Sequence, residues 1–384
     1  MSYASQTAYL DNAATTPLDG RVLEAMLPFL KGEFGNPSSV HAPGVAARRA
    51  LERAREQVQA ALGPARIVFT SGGTEANNLA IQGFCRLRRG DRIVISSVEH
   101  PSCHQAAAQA AELAGIPCRT VRVLPTGRLD LEHLAEELTA RTSVVALIHG
   151  QNEIGTLQPV LEAAALVRAR APRAHLHVDA IQTFGKLPLA ALTAAVDSLS
   201  LSAHKIHGPK GAGALALFTK AQPVALIQGG GQEQGIRSGT ENVAALVGLG
   251  CAAELAMADL ERHALRLAGL TERIRACLEE LPETRVLGDP AARLPTLAAA
   301  VISGVPGEVL QHHLEERGLV IGTGSACHAG RQQVSATYAA LGLDLEQARS
   351  VIRISLSRET TEDEVERLIR ELPATVAHIR ELSR

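Results

Sequence analysis

The 384-residue sequence contains no tryptophan and only 3 tyrosines and 6 phenylalanines, too few rings for a surface on which nucleic-acid bases stack. It has no basic excess either. Lys and Arg total 38 against 40 Asp and Glu, a formal charge of −2, so nothing in the charge balance favours nucleic acid or an anionic membrane as a partner. No apolar run approaches the ~20 residues that span a bilayer. The opening stretch, MSYASQTAYLDNAATTP, has neither the basic start nor the apolar core of a secretory signal. The 6 cysteines include no C-x-x-C pair and match neither a disulfide framework nor a structural zinc site. The expectation is a soluble protein of the reducing cytoplasm, with thiols free to react and no metal.

What the chain has in quantity is alanine and aliphatic residues arranged in repeating units. Short β-rich segments recur at 66–70, 91–97, 118–123, 143–149, 175–180, 197–203 and 213–218. Most are separated by Ala/Leu/Glu/Arg-rich stretches of helical length, such as 104–114, 130–141 and 159–170. Strand alternating with helix predicts an α/β fold with a doubly wound, mostly parallel sheet, and such sheets bind ligands beyond the carboxyl ends of their strands. Residues 44–62 place Leu51, Ala54, Val58 and Leu62 on one stripe of a surface helix. From about residue 255 two long helical patterns, 252–281 and the C-terminal stretch, flank strand-like segments at 296–303, 318–324 and 351–357. This predicts a large domain over 16–255 and a smaller α+β domain made of 1–15 and 256–384, joined by a rigid helix. Thr361, with Glu364 three residues on, predicts a capping box for the last helix.

Chemistry is expected where the strands stop. FTSGGTEANNLAI (69–81) is a strand end, two glycines, a hydroxyl, an acid and a helix. Gly73, Thr74 and the first helical amides converge as an anion cup, or else form an ordinary capped turn; the Walker pattern is absent, which disfavours ATP. HLHVDAIQ (175–182) stops at Asp179, with Gln182 one turn later. His175, His177 and Asp179 share a face by the period of two, but no further ligands complete a metal site, and the histidines read as structural. SLSLSAHKIHGPKGAGAL (198–215) brings Ser202, His204 and Lys205 to a strand end, where desolvation makes a lysine an amine nucleophile. Its GAGALA opens a strand rather than a helix, which argues against a dinucleotide fingerprint. An anion cup, a carboxylate and a lysine are the three parts of a pyridoxal phosphate site: donors for the phosphate, an acid for the pyridine nitrogen and an amine for the aldehyde. His100 in SSVEHPS (96–102) adds a ring for the cofactor face and a group to carry protons.

Here the sequence resembles one family, the cysteine desulfurases of the class V aminotransferase group of fold-type I pyridoxal phosphate enzymes. The matching segments run in order nearly end to end: YLDNAATTP (9–17), GNPSSVH (35–41), FTSGGTEANNLAI, SSVEH, QNEIGTLQP (151–159), HVDAIQTFGK (177–186), SAHKIHGPKGAGAL, GGGQEQGIRSGTEN (229–242), GTGSACHAG (322–330) and IRISLSRETTEDE (352–364). The resemblance implies that Lys205 forms the Schiff base and that His100 stacks on the cofactor and moves protons. It implies that Asp179 partners the pyridine nitrogen and Gln182 the phenolic oxygen. Gly73, Thr74, Ser202 and His204 match the phosphate site, and Thr240 matches a phosphate ligand sent across a homodimer interface. Asn152 and Arg353 match groups for the substrate carboxylate, a task that suits arginine's planar fork. Cys327 matches the persulfide-forming nucleophile, among glycines and near His328 and Arg331, which favour thiolate. Its segment resembles the subgroup with a longer, flexible cysteine loop.

The implied reaction converts L-cysteine to L-alanine and leaves sulfur on Cys327, for an acceptor protein in iron–sulfur cluster assembly or tRNA thiolation. A selenocysteine lyase on the same scaffold and a non-catalytic docking module are the alternatives. The joint presence of Lys205, His100 and Cys327 argues against the second. His207 and Gln151 depart from the family pattern, where an aromatic and an asparagine are usual, without removing a group the mechanism needs.

Overall fold

The computed structural model describes residues 7–324 and 334–382. In chain order the strands are β1 (Ala8–Leu10), β2 (Arg66–Thr70), β3 (Arg92–Ser96), β4 (Cys118–Val121), β5 (Thr142–Ile148), β6 (His175–Asp179), β7 (Ser198–Ser202), β8 (Gly213–Leu217), β9 (Thr284–Val286), β10 (Leu297–Ile302), β11 (Leu319–Thr323) and β12 (Val351–Ser355). The helices are α1 (Gly20–Lys31), α2 (Ala42–Ala60), α3 (Gly73–Arg88), α4 (Pro101–Ala114), α5 (Leu131–Glu137), α6 (Val160–Arg170), α7 (Ala190–Thr193), α8 (Val243–Met257), α9 (Leu260–Glu280), α10 (Gly307–Glu316), α11 (Ala336–Ala340), α12 (Leu345–Arg349) and α13 (Glu362–Leu382).

One sheet has the order β2-β8-β7-β6-β5-β3-β4. The run from β7 to β4 is parallel, and β8 and β2 close the other edge antiparallel. Along β5, Val144 and Ala146 enter the core under α3 and α4, whereas Val145 and Leu147 enter the core under α1, α2, α6 and α8. Both faces are apolar because helices cover both, as a parallel sheet requires. The second sheet, β1-β11-β12-β10-β9, is antiparallel except for the β1–β11 pair. It packs on α9, α10 and α13 through a core that includes Leu267, Leu310, Ile321, Ile352 and Leu368. Because β1 belongs to this sheet, residues 11–17 run from it onto the strand ends of the larger one.

The helix expected to run rigidly through residue 255 is broken. The α8 helix stops at Met257, α9 starts at Leu260, and the two are bent by 74°. Ala258 is extended, with ψ 119°, and Asp259 is left-handed at φ 60°, a conformation that aspartate tolerates better than most side chains. The apolar spacing that suggested one helix continues across the break because each helix buries a face of its own. At the start of α13 the capping box forms: Thr361 N donates to Glu364 Oε2 at 2.7 Å and Glu364 N to Thr361 Oγ1 at 3.3 Å. Among the described residues no single helix is long and apolar enough to cross a membrane.

Candidate active site

The carboxyl ends of β5, β6 and β7, together with the turns after β2 and β3, surround a cavity of about 310 Å³. Gly73, Thr74, His100, Asn152, Asp179, Gln182, Ser202, His204, Lys205 and Arg353 all line it. Of the residues singled out from the sequence, Thr240 is exposed and outside the cavity, and Cys327 lies outside the described residues. A larger groove of about 1350 Å³ between the end of α2, α7 and the start of α9 is an open surface depression, and no strand-end candidate lines it.

The anion cup follows from how α3 begins. No side chain caps its first turn, and its first internal bond runs from Ala76 N to Gly72 O at 3.1 Å, so the preceding amides are left for an outside acceptor. Glycine at position 73 leaves room for Ile181, since a Cβ there would stand 2.0 Å from its Cδ1 and the isoleucine side chain would have to move. His204 Nδ1 lies 3.1 Å from Thr15 Oγ1. Burial, reinforced by Lys205, Lys210 and Lys186, lowers its pKa to about 4, which makes the ring a neutral donor.

Asp179 is buried at the end of β6. Its Oδ1 accepts from Ile181 N at 3.0 Å and its Oδ2 from Asn77 Nδ2 at 2.8 Å. Nearby Glu99 accepts from Ile148 N at 2.7 Å, and burial, with Asp179 adding to it, pushes the Glu99 carboxyl well above the usual range. His100 caps α4, with Nδ1 accepting from Ser102 N at 3.1 Å and 2.8 Å from Ser102 Oγ. Burial lowers its pKa, and the hydrogen bonds to Nδ1 place the neutral ring's proton on Nε2.

Lys205 stands in a short turn after β7, and its Nζ donates to the carbonyls of Ala13 at 2.6 Å and Ala14 at 2.7 Å. Thr16, from the same N-terminal segment, donates its N and Oγ1 to His204 O, each at 2.9 Å, so residues 13–16 clasp the lysine's turn. Arg353, on β12, pairs through Nη2 with Asp11 Oδ1 at 2.7 Å and donates from Nη1 to Asn152 O at 3.0 Å. Arg353 Nε and Asn152 Oδ1 are buried without a protein partner. Gln182 accepts at Oε1 from Lys186 Nζ at 3.1 Å and donates from Nε2 to Ala13 O at 2.9 Å. Sequence reasoning gave no role to Asp11, to the carbonyls of Ala13 and Ala14 or to Asn77, although all lie in segments it had matched.

The two departures from the family pattern hold turns. His207 sits at φ 64°, donates its backbone N–H to Thr16 Oγ1 at 2.7 Å, and bonds Pro17 O through Nδ1 at 3.0 Å. Gln151 accepts from Ile154 N at 2.9 Å and donates to Thr337 Oγ1 at 2.8 Å, tying its turn to α11. Neither lines the cavity.

This donor set fits pyridoxal phosphate. An uncapped helix start with Thr74, Ser202 and a neutral His204 suits a phosphate, a buried carboxylate suits a ring nitrogen, and a lysine amine suits an aldehyde. The unpartnered Asn152 Oδ1 and Arg353 Nε are what a ligand pocket leaves open. Fold and cavity together define a class, a pyridoxal phosphate enzyme on a doubly wound sheet. Residues 8–368 match the family model described as aminotransferase class-V. The chain is 41% identical over 378 residues to a cysteine desulfurase of Sinorhizobium fredii, covering 97% of each. It is 39% identical over 384 residues to the cysteine desulfurase NifS of Azotobacter vinelandii, covering 98% of this chain and 94% of that one. A solved NifS-like protein shares the fold at a TM-score of 0.89 and 33% identity, over 97% of this chain and 100% of that one. The chain belongs to the class-V aminotransferase family, in its cysteine desulfurase branch, and its cofactor is pyridoxal phosphate.

Proposed function

We propose that the enzyme takes sulfur from L-cysteine and leaves it as a persulfide on Cys327, releasing L-alanine, and that an acceptor protein then collects the sulfur for iron–sulfur cluster assembly or tRNA thiolation. The observation that carries this reading is the single cavity that gathers Lys205, Asp179, His100 and Arg353 next to the strand leading to Cys327. Gly322 of β11 pairs with Arg353 of β12, and Cys327 follows Gly324 by three residues in the sequence.

When bound, pyridoxal phosphate supplies an electron sink that acidifies Cα of the amino acid. Lys205 Nζ is the amine for the aldehyde and, once released, moves the proton at Cα. His100 holds a proton on Nε2 at the same cavity. Arg353 receives the substrate carboxylate, and Asp11 keeps its guanidinium oriented. The Cys327 thiolate attacks the substrate sulfur: an S–S bond forms, the Cβ–S bond breaks, and Cβ gains a proton to complete alanine. The balance is L-cysteine plus thiol giving L-alanine plus persulfide, with no outside oxidant. Arg353→Ala is expected to raise KM for cysteine about 10- to 150-fold, the loss of roughly 1.5–3 kcal/mol for a charged hydrogen bond, with a smaller effect on kcat. A KM change below twofold would move carboxylate recognition elsewhere.

The same reading makes the working unit a homodimer. Thr240 is exposed, and the loop that carries it is anchored by the Arg55–Glu233 pair at 2.9 Å and the Arg237–Glu75 pair at 2.8 Å. Such anchoring supports presentation of Thr240 to the phosphate of a neighbouring subunit. Sedimentation at assay concentrations is expected to give a dimer, and an active monomer would contradict it. The division into 16–255 and 1–15 with 256–384, and a cytoplasmic location where Cys327 stays reduced, belong to this proposal.

A further inference from the structure

Behind the cavity wall runs a chain of buried polar groups that the reaction above does not use. Asn77, fully buried in α3, donates twice from Nδ2, to Asp179 Oδ2 and to Ser102 Oγ, each at 2.8 Å. Having accepted from Asn77, Ser102 Oγ turns its own hydrogen to His100 Nδ1 at 2.8 Å. The Asn77 Oδ1 faces His177 Nε2 at 3.0 Å. Flipping this amide would set its oxygen against a carboxylate, so its orientation is determined, and His177 Nε2 must be the donor. His177 Nδ1 then accepts from Ser198 Oγ at 2.8 Å, and Ser198 Oγ accepts from His175 Nε2 at 2.8 Å. The His175 ring stacks on Phe84, with centroids 3.4 Å apart and planes 11° apart.

Every donor in this chain points one way, from His175 through Ser198 and His177 to Asn77, where it forks to Asp179 and, by way of Ser102, to His100. Hydrogen bonds aligned in series in a dry interior polarise one another. We propose that Asn77 is a positioning residue that fixes and couples Asp179 and His100, with His177 and Ser198 locking its amide in the required orientation. The proposal rests on the roles given above to Asp179 and His100 at the cofactor.

The surroundings suit that task. Burial lowers the His177 pKa to about 3 and drives His175 well down, so the chain adds no cation beside Asp179. Glu99 and Cys103, which also face Asp179, are both pushed up by burial. Without Asn77, the remaining contact to Asp179 Oδ2 given by the geometry is Cys103 Sγ at 3.9 Å, and Ser102 Oγ is free to turn away from His100.

The test uses holoenzyme and apoenzyme of Asn77→Ala, Ser198→Ala and Asp179→Asn, with two readouts besides activity: the dissociation constant for pyridoxal phosphate and the pH midpoint of the bound cofactor's visible band. Asn77→Ala is expected to bind the cofactor about 10- to 100-fold more weakly, the scale of a lost hydrogen bond to a charged group, and to move the midpoint. Ser198→Ala should change both in the same direction by less. A folded Asn77→Ala with affinity within twofold of wild type and an unmoved midpoint overturns the proposal. If Asn77→Ala does not fold, Ser198→Ala decides on the same two readouts. Should Asp179→Asn also leave both unchanged, the assignment of Asp179 itself fails; a strong Asp179→Asn effect beside a silent Asn77→Ala overturns only the role of Asn77.

Discussion

Lys205→Ala is expected to abolish the covalent visible chromophore and to lower turnover by at least ~10²–10⁴-fold, the contribution typical of one positioned proton-transfer group. In the proposed mechanism Lys205 is both anchor and proton carrier, so the expected loss lies at or beyond the upper end of that range. Lys205 is the lysine that lines the cavity opposite Thr74 and Asp179, delivered there by the end of β7 and held by the carbonyls of Ala13 and Ala14. Lys186 is the amine to compare, since burial lowers its pKa to about 7. Its Nζ is spent on Gln182 Oε1, and it does not line the cavity. Borohydride reduction of the holoenzyme followed by peptide mapping should place the cofactor on Lys205; an adduct on Lys186 would contradict the assignment.

Cys327→Ser separates binding from sulfur transfer. Serine keeps the size of the side chain and leaves the cofactor cavity intact, so the variant should bind pyridoxal phosphate and still shift its visible spectrum when cysteine is added. Sulfide release should fall by more than about a thousandfold, on the scale of deleting an enzymatic nucleophile. A thiol of pKa ~8.5 or lower supplies thiolate at neutral pH, while a hydroxyl remains protonated. The other five thiols are poorly placed to substitute: burial raises the pKa of Cys85, Cys103, Cys118, Cys251 and Cys277. Selenium leaves carbon more readily than sulfur, so residual selenocysteine lyase activity is compatible with the loss. Radioactive persulfide mapping to one of those five cysteines, or wild-type sulfide release, would contradict the role of Cys327.

Much of this site was legible because its chemistry resides in side chains at strand ends. The strand segments of β5 (TSVVALI), β6 (HLHVD) and β7 (SLSLS) recur between helical stretches, and Asp179, Ser202, His204 and Lys205 stand where β6 and β7 stop. What escaped notice had no such mark. The carbonyls of Ala13 and Ala14 belong to residues whose side chains say nothing, and their role follows from β1 joining the second sheet, a pairing 311 residues apart between Ala8 and Leu319. Asn77 reads as an ordinary helix residue until α3 is laid on the face of the sheet that carries His175 and His177. The break at Ala258–Asp259 has no glycine or proline to announce it, and the apolar pattern on either side concealed it.

In the proposed reaction one cavity converts cysteine to alanine while the sulfur leaves through an enzyme thiol. Its most direct test is the product balance of the pyridoxal phosphate-loaded protein given L-cysteine and a thiol reductant. L-alanine and sulfide are expected in equal amounts over many turnovers. Sulfide accompanied by pyruvate and ammonia, or no alanine from protein fully loaded with cofactor, would contradict it.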